Sequence, residues 1–91
     1  MNKGVAVAVN TWKNECAFLL ENLGGHACLK DIYEKFIEIH TRPITKNYQA
    51  SIRDALEKGS AESEKFDGVA LFYMVEGKNK GHYGLIRQKK Y

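Results

Sequence analysis

Ninety-one residues, 10.3 kDa in all, give room for one packed core and exclude most large enzyme folds. Apolar residues make up 44% and charged residues 27%, with a single proline, a composition that excludes a disordered or collagen-like chain. The net charge of +3 identifies no partner by its size, but its placement is uneven. Residues 1–41 and 59–75 are neutral to acidic, whereas 42–58 hold four basic against two acidic residues and 76–91 hold five against one.

The Val5 to Val9 run is too short and too alanine-rich for a signal-peptide core. The longest apolar run elsewhere, Val69 to Val75, falls far short of the roughly 20 residues of a spanning helix. No membrane association is expected. Cys16 and Cys28 lack CxxC spacing and read as reduced thiols, which points to the cytoplasm.

In chain order, residues 1–10 alternate Val5, Val7 and Val9 with small residues, as in a short strand or extended arm. Such an arm can also pair between subunits, so a homodimer is an alternative assembly. Residues 11–91 form the single domain. Thr11 is placed to cap a first helix whose apolar stripe is Trp12, Cys16, Leu19, Leu20 and Leu23, with Gly24 and Gly25 ending it. His26 and Ala27 form an extended link. A second helix then carries Leu29, Ile32, Tyr33, Phe36 and Ile37 to about Ile39; Cys28 stands at its N-cap, and Asp31 takes the acidic position of a capping box.

Thr41, Arg42 and Pro43 make the next break, because proline disfavours helical geometry in the residue before it. The pattern predicts a third helix from a Thr45 cap to about Lys58, burying Tyr48, Ile52, Ala55 and Leu56. Its outward face is centred on Ala50 and flanked by Lys46, Asn47, Arg53, Asp54 and Glu57. After a polar loop at 60–67, Val69 to Val75 reads as a strand, Gly77 to Gly81 as a turn and His82 to Gln88 as the returning strand. Trp12, Phe18, Tyr33, Phe36, Tyr48, Phe66 and Phe72 are expected mostly in the core, with Tyr83 the exception on the hairpin.

Three short helices and a hairpin define an α+β chain: a three-helix bundle with a C-terminal β-hairpin wing. The segments ACLKDIYEKF (27–36), NYQASIRDALE (47–57) and FYMVEGKNKGHYGL (72–85) resemble the winged helix-turn-helix modules attached to bacterial restriction endonucleases and defence proteins. The resemblance covers roughly Cys16 to Arg87, with Cys28 departing from the usual capping hydroxyl. It implies that the third helix enters the major groove of double-stranded DNA and that the Lys78 to Lys80 wing touches the backbone. A regulator, or a recognition module of a restriction or phage-defence system, is the role it implies.

The chemistry of these side chains suits that partner. Arginine pairs with guanine, and asparagine or glutamine with adenine, in the major groove. The expected contacts are Arg42, Lys46, Asn47, Gln49, Ala50 and Arg53, with Lys78, Asn79, Lys80 and Tyr83 from the hairpin. Asp54 and Glu57 repel phosphate, so only the first two turns of the helix should approach. The rival for Lys46 and Arg53 is a solvated face paired with Asp54 or Glu57. No catalysis is expected: Asp67, Glu76 and Lys78 follow the carboxylate and lysine order of a metal-dependent nuclease class, but those enzymes need a mixed sheet flanked by helices that this chain does not supply. No cofactor or metal is expected either, since Cys16, His26, Cys28 and His40 lack the spacing of a structural zinc site. The alternative function is a protein-interaction module, an adaptor or inhibitor using the same surface, motivated by the acidic stretch Glu62, Glu64 and Asp67.

Overall fold

A computed structural model describes residues 11–39, 43–77 and 80–86. The expectations for the 1–10 arm, Arg42, Lys78, Asn79 and the 87–91 tail lie outside them. In order come α1 (Trp12–Asn22), β1 (His26–Cys28), α2 (Leu29–Ile39), α3 (Tyr48–Lys58), β2 (Phe72–Met74) and β3 (His82–Leu85). The three strands form one antiparallel sheet in the order β1-β3-β2. Among the described residues, no helix is long and apolar enough to cross a membrane.

Both ends of α1 follow from the local sequence. Thr11 Oγ1 accepts from the Asn14 amide at 3.1 Å, capping the first turn. At the other end, the Gly25 N–H donates to Leu20 O at 2.8 Å and the Gly24 N–H to Glu21 O at 3.3 Å. That paired pattern reverses the chain, with Gly24 and Gly25 at φ 91° and 103°, where side chains are disfavoured. The link that follows is a paired strand, with Ala27 opposite Tyr83 and Cys28 opposite His82. Three residues are too few to show a strand period in sequence.

α3 starts two residues later than expected, its cap at Asn47 and not Thr45. Thr45 contributes its carbonyl, accepting from the Tyr48 N–H at 3.2 Å in a turn, and Asn47 takes the N-cap position without a side-chain cap bond. The expected Val69–Val75 strand shortens to Phe72–Met74 because polar bonds hold its beginning elsewhere. Lys13 Nζ donates to both Asp67 carboxylate oxygens, at 2.9 and 3.0 Å, and to Val69 O at 3.0 Å. The Val69 N–H donates to Asp67 Oδ1 at 3.0 Å. The returning strand likewise ends at Leu85 within the described residues.

The core joins Cys16, Leu19 and Leu20 of α1, Ile32 and Phe36 of α2, and Ile52, Ala55 and Leu56 of α3 to Phe72, Met74, Tyr83 and Leu85 of the sheet. Each large side chain buried there contributes about 1.5–3 kcal/mol relative to exposure. An aromatic row links the helices: Trp12 and Phe36 have ring centroids 5.5 Å apart, Phe36 stacks on Tyr48 at 5.5 Å, and Tyr33 meets Tyr48 edge-on at 6.2 Å. Phe18 corrects the expectation for the aromatics, being 44% exposed; it sits off the α1 stripe. Ile37, expected on the α2 stripe, is 37% exposed at its margin.

Candidate nucleic-acid interface

Burying Ile52, Ala55 and Leu56 turns the opposite side of α3 to solvent. Gln49, Ala50 and Arg53 are exposed there, and Lys46 and Asn47 are exposed on the turn leading into the helix. Lys46 and Arg53 stand on a solvated face, and among the described residues neither forms an ion pair with Asp54, Glu57 or another acid. Ala50 leaves the centre of the face flat. Gln49 Nε2 donates to the Tyr48 hydroxyl at 3.2 Å at the mouth of a groove of about 310 Å³, which is lined by Lys30, Tyr33, Glu34, Ile37, Tyr48 and Gln49.

The acidic end of α3 is neutralised from two directions. Lys58 Nζ lies 3.0 Å from Asp54 on the same helix, while Lys65 reaches in from the following loop to Asp54 at 3.6 Å and Glu57 at 3.5 Å. The Asp54 carboxyl is held below its ordinary range, chiefly by the hydrogen bond from Lys58. Lys65 is the residue that sequence reasoning missed. It is the single base in the acidic 59–75 segment, and nothing in the helical pattern brings it back to α3.

On the hairpin, Gly77 and Gly81 take positive φ, as the turn requires, and Lys80 is exposed. Tyr83 is a correction. β3 is the middle strand, Tyr83 lies between Ala27 and Met74 in register, and its side chain is only 5% exposed. A ring in the core has no face to offer a duplex. Burial raises the Tyr83 phenol above its usual value, with Glu57 adding to the effect and Arg53 opposing it. Among the described residues, no three His, Cys, Asp or Glu side chains converge as a ready metal site. No family model, curated protein or solved structure matches the chain.

Proposed function

We propose that the chain is a winged helix-turn-helix protein without enzymatic activity that binds double-stranded DNA through α3 and the hairpin loop. The order α-β-α-α-β-β with the middle strand last in sequence supports the fold reading. The observation carrying the function is the separation of charge along α3. Lys46, Asn47, Gln49 and Arg53 stand exposed without ion pairs, while the acids that would repel phosphate are covered by Lys58 and Lys65. Use as a regulator, or in a restriction or defence system, rests on the sequence resemblance alone.

The test is the anisotropy of a labelled duplex across a salt series. With Lys46, Lys78 and Lys80 at phosphates, log affinity should fall with log salt at a slope of about −3. No binding at low salt overturns the proposal.

A second reading, docking of a protein partner, is favoured by a different observation. Ile37 lines the groove between α2 and α3 while 37% exposed, and Ile44, just before α3, is 43% exposed. One stoichiometric partner lost on Ile37→Asp, with no duplex binding, would select that reading.

A further inference from the structure

Away from α3, the sheet brings metal-ligating side chains together at the base of the hairpin. His26 and Cys28 flank Ala27 on β1, so they share one face, opposite to the face that Ala27 buries. Cys28 pairs in register with His82. The bonds Leu29 N–H to Gly81 O and Leu85 N–H to Gly25 O, both 2.8 Å, make Cys28 and His82 a non-hydrogen-bonded pair. At such pairs the Cβ atoms stand about 4.5–5.5 Å apart.

The two imidazoles already meet, with His26 Nδ1 2.9 Å from His82 Nε2, and the other nitrogen of His82, Nδ1, lies 3.4 Å from Glu76 Oε2. Nitrogens that are neighbours on a tetrahedral ion with bonds of about 2.0–2.1 Å stand about 3.3–3.4 Å apart, so the two rings need to part by about 0.4 Å to take an ion. The thiol is turned aside, Cys28 Sγ donating to Asp31 Oδ2 at 3.4 Å.

We propose that these side chains form a site for a borderline-soft divalent ion of the Zn²⁺ class. His26 Nδ1, His82 Nε2 and the Cys28 thiolate are the protein ligands, and water fills the fourth position. Glu76 accepts from His82 Nδ1–H, the outer-shell carboxylate that fixes a ligating imidazole's tautomer. Occupation requires the Cys28 thiol to leave Asp31 and the two imidazoles to separate and turn until both nitrogens face the ion. In the neutral pair His26 holds the proton between the rings; on binding, that proton moves to His26 Nε2, and Cys28 releases its thiol proton to solvent. One proton therefore leaves per ion bound. The ion would tie β1 to β3 where the hairpin begins.

Titration of the reduced full chain with Co²⁺, followed by absorption, tests the assignment. One equivalent should give tetrahedral visible bands and a thiolate charge-transfer band in the near ultraviolet. Cys28→Ser should abolish the charge-transfer band, since the other thiol, Cys16, is wholly buried. His26→Gln and His82→Gln should each weaken binding at least tenfold, and Glu76→Gln about tenfold, with unchanged circular dichroism. No saturable uptake, a thiolate band that survives Cys28→Ser, or wild-type affinity in His82→Gln would overturn it.

Discussion

Tyr83 and Arg53, both expected contacts, have opposite fates. The tyrosine occupies the central strand on the row shared with Ala27 and Met74, so strand position overrides its polar hydroxyl and places it in the core. The arginine lies one turn along α3 from Gln49, on the side opposite the buried stripe, and remains exposed. Two substitutions should therefore separate stability from binding. Tyr83→Ala removes a buried ring and should cost about 3–5 kcal/mol in denaturant unfolding, while Tyr83→Phe should leave duplex affinity unchanged. Arg53→Ala should leave the unfolding midpoint nearly unmoved and weaken duplex binding by about 1–3 kcal/mol. Equal duplex affinity for Arg53→Ala and wild type would remove α3 from the interface.

The elements formed where the sequence carried a local chemical signal. Thr11 ahead of a helical stripe and the Gly24-Gly25 pair marked the two ends of α1, and their hydrogen bonds are the capping bonds that those residue types make. The three apolar stripes placed the helices and most of the core. Less legible were features set by contacts distant in sequence: the pairing of β1, the late start of α3, and the short β2, whose first expected residues are held by Lys13 and Asp67. Lys65, too, joins the site only through the loop's return to α3.

The Lys13–Asp67 anchor gives a pH prediction. The Asp67 carboxyl is lowered first by the Val69 N–H and then by Lys13. A folded value below the unfolded one, about 3.9, contributes stability above that pH and loses it as pH falls through the folded value. Thermal unfolding from about pH 6 to about pH 3 should show a smaller loss of Tm for Asp67→Asn than for wild type. Gly84 supplies another element-scale test, because a Cβ there would meet the Tyr73 ring at 2.7 Å. Gly84→Ala should destabilise by about 1–3 kcal/mol through overpacking, as measured in denaturant.

For the whole molecule, the mild charge of +3 matters through its distribution over the folded surface. Segment counting makes 42–58 basic and 59–75 acidic, yet folding carries Lys65 of the acidic segment onto Asp54 and Glu57 of the basic one. The lysine thereby screens the end of α3 that would otherwise repel a phosphate backbone, although it stands outside the expected contact surface. Exposed ion pairs of this kind contribute little to stability, about 0–1 kcal/mol, so Lys65→Ala should hardly shift the unfolding midpoint. Its effect on binding should be electrostatic: with Glu57 uncovered and Asp54 left to Lys58 alone, duplex affinity should fall several-fold at low salt, and the difference should fade as screening shortens toward about 8 Å near 0.15 M. A lysine that touched phosphate directly would also flatten the salt slope, by about one unit. Comparing salt series for Lys65→Ala and Lys46→Ala therefore distinguishes a base that screens from a base that binds. If Lys65→Ala matches wild type at low salt, the acidic end of α3 does not face the duplex.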